Sequence, residues 1–268
     1  MRPLKIKPLQ YTVLFVLLLL IYGCGVTDLD DQISNHNYAA KEEFTYNFEA
    51  DGKNKLEISA VNGTIQITGD PAVTVVKIEG ERIVQSESKE DAQEHLKDLS
   101  VEITQYERSL AVQTKQPKKS DGRNYIINYR VRIPNTWSIA VENVNGNLTV
   151  DSLDNDVACD LVNGNCTLDE IKGDVYNSVV NGNIEGKLYL QQKGTFNIST
   201  VNGSIYISIP TSSNASFSSS VTNGFIQISN LPIETVKQTS KIVNGTLGEG
   251  AGNISLQTTN GNIKVSGF

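Results

Sequence analysis

One dipeptide, Asn-Gly, returns through this chain at Asn62-Gly63, Asn145-Gly146, Asn163-Gly164, Asn181-Gly182, Asn202-Gly203, Asn223-Gly224, Asn244-Gly245 and Asn260-Gly261. From Asn145 onward the spacings are 18, 18, 21, 21, 21 and 16 residues. The residue before each Asn is Val, except at Thr222 and Thr259. Three residues after it stand Ile65, Leu148, Cys166, Ile184, Ile205, Ile226, Leu247 and Ile263. Six residues before it stand Leu56, Ile139, Val157, Val175, Phe196, Phe217, Gln238 and Ile254, apolar in all but Gln238. A period near twenty residues with side-chain classes held in phase is the mark of a repeat architecture.

Each unit is a pair of short alternating segments, rich in Val, Ile and Thr, meeting at an Asn-Gly corner. Period-two alternation means strands with one buried face. Glycine supplies a positive-φ corner at no steric cost, and Asn tolerates a similar conformation. The Asn amide is also placed to hydrogen-bond the Asn of the next unit. Asn-Gly between alternating strands is equally the strongest short hairpin signal, so an antiparallel meander is the rival. A meander needs a second constant turn in every period, and none is visible. Stacked coils explain why like residues return at like phase. The expectation is an all-β fold, a single-stranded β-solenoid (β-helix), with one short helix inserted in its N-terminal part. Seven coils counted from Asn145, each laid on the one before, predict a rod of roughly 35 Å at about 4.8 Å per coil. Nothing after Phe268 resembles a polar cap, so the final coil is expected to be exposed or paired end to end with a second copy.

The first corner and the second are separated by a different pattern. Ser88 followed by Asp91 is an N-cap signature, and Ala92, Leu96 and Leu99 share one helical face. Residues 101–103, 110–112 and 125–133 alternate as strands, closed by Pro134. Lys115, Lys118, Lys119 and Arg123 read as a mobile basic loop at a hairpin tip. Residues 44–133 are therefore an N-terminal β part with a helical insertion and 134–268 the regular solenoid, with 44–268 one continuous domain.

Ahead of this lies a leader. Arg2, Lys5 and Lys7 precede a dozen mostly apolar residues, 11–22, too short to span a bilayer comfortably but suited to a signal-peptide core. Ile21-Tyr22-Gly23-Cys24 resembles the bacterial lipobox, which implies a lipoprotein signal peptide over 1–23 and lipidation at Cys24. Tyr22 is bulkier than that motif usually carries. Residues 24–43 hold few apolar side chains and several acids, and are expected to be an acidic flexible tether. The implied location is the bacterial cell envelope, on the outer membrane, through lipid on Cys24. A net charge of -7 argues against nucleic acid as a partner.

Chemistry is sparse. Two His and one Trp are present, and no Arg follows Arg132. The acids cluster once, at Asp151, Asp154, Asp156, Asp169, Glu170 and Asp174. An 18-residue coil stacks Asp169 on Asp151 and Asp174 on Asp156, making these four the one place for a Ca²⁺ site. A solvated acidic corner is the plainer reading, and no other cofactor is implied. An acid pair there is also what a glycan-cleaving enzyme needs. Cys159 and Cys166 sit at inward phases and read as small core residues, with a disulfide between them left open. Tyr189, Tyr206 and Phe225 fall at outward phases and form a candidate binding surface for a glycan or an envelope protein.

The lipobox, a first VNGTIQI unit, a helical insertion, the Ile133-Pro134 step and a run of VNG-x-I-x-I units resemble the bacterial putative-adhesin family of unknown function. The resemblance covers roughly residues 44–268. It implies a β-helical envelope protein and brings no catalytic residues. Thr222, Thr259, Gly186 and Glu249 depart from the repeat and imply local bends or a frayed end. The expected function is non-catalytic: a lipid-anchored envelope protein, adhesin-like, binding or scaffolding through the side of its solenoid. The alternatives are a polysaccharide-processing β-helix enzyme using the acidic corner, or a structural or regulatory component of an envelope-stress system.

Overall fold

The computed structural model describes residues 37–268. The described chain opens with β1 (Tyr38–Glu49), β2 (Lys55–Asn62), β3 (Ile65–Gly69) and β4 (Val75–Ser86). The helix α1 (Lys89–His95) and a 3-10 turn lead to β5 (Ser100–Gln105), β6 (Ser109–Lys115) and β7 (Asn124–Ile133). The repeat then yields β8 (Ser138–Asn145) with β9 (Leu148–Leu153), and β10 (Val157–Asn163) with β11 (Cys166–Ile171). Next come β12 (Val175–Asn181) with β13 (Ile184–Leu188), β14 (Thr195–Asn202) with β15 (Ile205–Ile209), and β16 (Ala215–Asn223) with β17 (Ile226–Ser229). A hairpin of β18 (Ile233–Gln238) and β19 (Ile242–Leu247) precedes the last pair, β20 (Gly252–Asn260) and β21 (Ile263–Gly267).

These strands form two sheets. Sheet A runs β1-β4-β7-β3-β9-β11-β13-β15-β21-β17, and sheet B runs β18-β19-β16-β20-β14-β12-β10-β8-β2-β6-β5. At seven of the eight dipeptides the chain leaves sheet B at Asn and enters sheet A just beyond Gly. Neighbours within the stack are parallel, as between β8, β10, β12 and β14. That arrangement is a solenoid, and it excludes the meander. The register aligns Ile139, Val157, Val175, Phe196, Ile254 and Phe217 in one inward column. All six are buried, each contributing roughly 1.5–3 kcal/mol by leaving water.

The corner explains the dipeptide. Each Asn amide donates to the Asn Oδ1 of the neighbouring coil at 2.7–2.8 Å, in the order Asn223, Asn260, Asn202, Asn181, Asn163, Asn145, Asn62. Asn62 ends the ladder by donating to the Tyr125 carbonyl at 3.0 Å. Beside it the backbone N–H of Gly164 donates to the Asn181 carbonyl at 2.9 Å, and the pattern repeats along the column. Gly164 has φ +146°, and a Cβ on it would lie 2.1 Å from the Gly146 carbonyl oxygen. Close coil stacking therefore leaves room for glycine alone.

The order of that ladder corrects the expected one. The last coil, β20 with β21, lies between the Asn202 coil and the Asn223 coil, because β20 pairs in parallel with both β14 and β16. It is neither exposed nor available for end-to-end pairing; the strand at that end of sheet A is β17. Nor is Asn244-Gly245 a corner. It lies inside β19, antiparallel to β16 and β18. The reason is visible at Gln238, polar where a coil needs an inward apolar residue; β18 is exposed from Glu234 to Gln238. Six coils rather than seven follow from Asn145, and the seven-rung Asn ladder spans about 29 Å over six steps of about 4.8 Å.

The N-terminal end departs from the solenoid in a second way. β4 pairs antiparallel with β7 and β1 antiparallel with β4, while β5 pairs antiparallel with β6. Both sheets thus continue beyond the first corner. The tether expected up to residue 43 is strand from Tyr38: Ala40 is buried, Phe44 and Phe48 pack on the core, and Tyr38 to Glu43 pair with Ser86 to Glu81. Backbone pairing to β4 orders these polar residues, and their charges blunt an open edge. The helix starts as its cap predicts, with Ser88 Oγ accepting from the Asp91 N–H at 3.1 Å and with Ala92, Leu96 and Leu99 buried. The basic segment is not a hairpin tip, because β6 lies in sheet B and β7 in sheet A. Arg123 is pinned to Asp91 by two hydrogen bonds of 2.7 and 2.6 Å. Hydrogen bonds from Arg123 and Ser86 hold the Asp91 carboxyl down at about 2.

Candidate functional site

Outward side chains on parallel strands form rows that cross the sheet, one residue per coil. The acids expected to stack do so. Asp151 is opposite Asp169 on sheet A. Asp156 and Asp174 lie between the sheets, where each serves as a turn acceptor: the Asp174 N–H donates to Asp156 Oδ1 at 3.0 Å and the Thr195 N–H to Asp174 Oδ1 at 2.8 Å. Asp151 Oδ1 accepts from Ser152 Oγ at 2.9 Å. Around them Asp154 pairs with Lys172 at 2.9 Å, and Glu170 with Lys187. Among the described residues no three His, Cys, Asp or Glu side chains gather as a metal cage.

The carboxylates that burial raises lie elsewhere. Glu142 and Asp160 are opposite each other on the outer face of sheet B. Burial, with the Glu142 charge beside it, pushes the Asp160 carboxyl up to about 6. Burial and Glu57 raise Glu142 as well. Both stand three residues before a corner Asn, a phase that holds Ser in four other stacked units and Gln in one. That shared phase is the signal the sequence carries for this pair.

The aromatic candidates divide into three places. Tyr206 lies on sheet A beside Lys264, whose Nζ is 5.6 Å from the ring centre. Register sets two parallel rows here: Glu185, Tyr206, Lys264, Gln227, and next to it Lys187, Ser208, Ser266, Ser229. The Ser208 and Ser266 hydroxyls share a 2.8 Å hydrogen bond. Tyr206, Ser208, Gln227, Ser229, Lys264 and Ser266 line an open trough of about 340 Å³. Tyr189 sits at its margin, packed edge-on against Phe268 at 5.4 Å, with Lys187 Nζ 5.0 Å from the Phe268 ring. Phe225 is 43% exposed at the last corner, outside these rows. Lys187, Lys264 and Phe268 belong with the aromatics, and only the register reveals it.

Cys159 and Cys166 are both free and buried. A hydrogen bond between the two thiols, together with burial, pushes Cys159 well above the usual thiol range. The Asn177 amide donates to Cys166 Sγ at 3.0 Å. Cys24 and residues 24–36 of the expected tether lie outside the described residues, as does the signal peptide.

Comparison with solved structures finds a "putative cell adhesion protein" from Clostridium sporogenes at 14% identity and TM-score 0.48, covering 85% of this chain and 100% of that one. A "putative adhesin" from Bacteroides fragilis matches at 14% identity and TM-score 0.32, over 85% of this chain and 99% of that one. A "putative lipid binding protein" from Parabacteroides distasonis matches at 14% identity and TM-score 0.33, over 88% and 96%. No curated protein matches. The family model described as Toastrack DUF4097 matches residues 160–266, the stretch that supplies five of the seven rungs of the Asn ladder. Over those residues the chain is similar to the Toastrack DUF4097 family.

Proposed function

We propose that the protein is a non-catalytic, lipid-anchored component of the bacterial cell envelope that holds a glycan against sheet A, as an adhesin or scaffold does. The observation that carries this reading is the trough around Tyr206 and Lys264. A sugar ring has one apolar face and a rim of hydroxyls. Tyr206 offers a flat aromatic surface for the first, and Ser208, Ser229, Ser266, Gln227 and Lys264 offer hydrogen-bonding groups for the second. The trough is open along the sheet, which suits a chain of sugars rather than an enclosed small molecule. Anchoring rests on the leader and Cys24; no helix among the described residues is long and apolar enough to cross a membrane. The acidic corner is largely occupied by turn hydrogen bonds and ion pairs, which leaves it poorly set for acid–base chemistry.

The test is a glycan binding screen of the full-length chain in mild detergent, with and without Ca²⁺. Tyr206→Ala and Lys264→Ala are each expected to weaken the best ligand about tenfold, as removal of a buried binding anchor does. Phe225→Ala is expected to leave it within about twofold, too small a change to mark an anchor. Turnover of a bound polysaccharide that disappears in Asp151→Ala would replace this reading with the enzymatic one.

A further inference from the structure

We propose that the N-terminal part of the sheet A outer face is a second binding site, for a polysaccharide bearing sulfate or carboxylate groups. Three strands build it. Register places Lys77 opposite Arg132 and Arg132 opposite Thr68, with Glu79, Arg130 and Gln66 aligned in the next row. Their side chains line an open trough of about 300 Å³.

The charges of this block are not internally cancelled. Glu79 turns to Lys77 and forms an ion pair with it. Lys77, Arg130 and Arg132 together draw the Glu79 carboxyl below its ordinary range. Arg132 is 63% exposed and reaches Asp70 only at 4.0 Å. Arg130 is exposed and has no ion pair among the described residues. Two guanidinium groups two residues apart on one strand project from the same face and repel. An oxyanion between them removes that repulsion and accepts from planar donor forks that fit it in pairs. Thr68 and Gln66 add neutral donors on the side of β3.

The shape of the site selects the ligand. A second trough of about 200 Å³ adjoins at Arg130, but Glu43, Glu79 and Glu81 line it, so an anionic ligand is held to the trough between Arg130 and Arg132. The flanking positions in the same two rows are Thr45 and Asn47 on β1, and Thr149 and Asp151 on β9. No apolar side chain stands there to enter a bilayer, so the surface fits a water-soluble polyanion better than a lipid headgroup layer. The site lies five strands from Tyr206, about 24 Å at about 4.8 Å per strand, and the argument for it is independent of the aromatic trough.

Fluorescence anisotropy of the full-length chain with labelled heparin fragments, polygalacturonate and neutral dextran tests the proposal. Binding of an acidic polymer over dextran, weakening as salt rises, is expected. The double variant Arg130→Gln/Arg132→Gln is expected to lose at least about tenfold in affinity, and Lys77→Gln alone a smaller part of that. Lys118→Gln/Lys119→Gln removes the same charge from an exposed loop and is expected to change affinity less than about twofold, since surface charges beyond a Debye length are screened. Tyr206→Ala is expected to leave intact the binding of a heparin disaccharide, too short to reach both troughs, which separates this site from the aromatic trough. Equal losses in the two double variants, no preference over dextran, or loss of disaccharide binding in Tyr206→Ala would overturn it. So would an Arg130- and Arg132-dependent gain on phosphatidylglycerol vesicles with heparin binding unchanged.

Discussion

Asn181 has its amide on Asn163 and its Oδ1 on Asn202, each at 2.8 Å. Replacing it by Ala leaves two neighbours short of a partner, but at an exposed corner where water substitutes. About 1 kcal/mol of stability should be lost, read from the midpoint of urea unfolding. Gly164→Ala is a different case, because the new methyl meets the Gly146 carbonyl oxygen at a backbone angle that side chains avoid. About 3 kcal/mol or failure to fold is expected, and a loss under about 1 kcal/mol would show that the stack dilates easily. Asp160 carries a pH signature. Its carboxyl titrates near 6 when folded, against about 3.9 unfolded, so the folded state favours the proton. Stability attributable to it is full below about pH 4 and is lost as pH rises through 6. Asp160→Asn should therefore stabilise the protein at pH 7, by about 3 kcal/mol at most, and do little at pH 4. A variant equally stable at both would refute the assignment. The corner Asn and Gly are legible in the sequence because a single conformational demand recurs at one spacing. The Tyr206–Lys264 contact is not, because 58 residues separate its partners.

At the level of elements, the informative departure is where the last coil goes. A C-terminal coil at the end of a repeat array usually frays first. Here β20 and β21 are flanked on both sides. In native-state hydrogen exchange their amides should be as protected as those of β14 and β15, and more so than those of β17. Fast exchange across Gly252–Asn260 would contradict the insertion. The same topology predicts that a stop codon after Gly250 is far more damaging than deletion of the β18–β19 hairpin, since it empties the stack from within. The helix and its cap were readable from Ser88 and Asp91 because capping is local. Strand order at the C-terminal end was not. Asn223 and Asn260 carry equivalent local sequences, and nothing in either specifies which lies nearer Asn202.

Across the whole molecule the parallel stack turns one repeat into two faces with rows of side chains. Sheet A carries a basic trough at Arg130 and Arg132, acids at Asp151 and Asp169, and an aromatic trough at Tyr206. A ligand long enough to touch both troughs would gain by tethering, so longer acidic glycans should bind more tightly than short ones bound to either trough alone. Sequence by itself determined the repeat, the strand alternation, the corner chemistry and the helix cap, because each is a local demand of backbone geometry or of one buried face. Only the tertiary structure decided that the final coil slides between two earlier ones, that Asn244-Gly245 is part of a hairpin, and which charged and aromatic residues share a row. Those outcomes depend on which coil lies next to which. That choice is made by the fit of whole coils, whose edges all offer the same backbone hydrogen bonds.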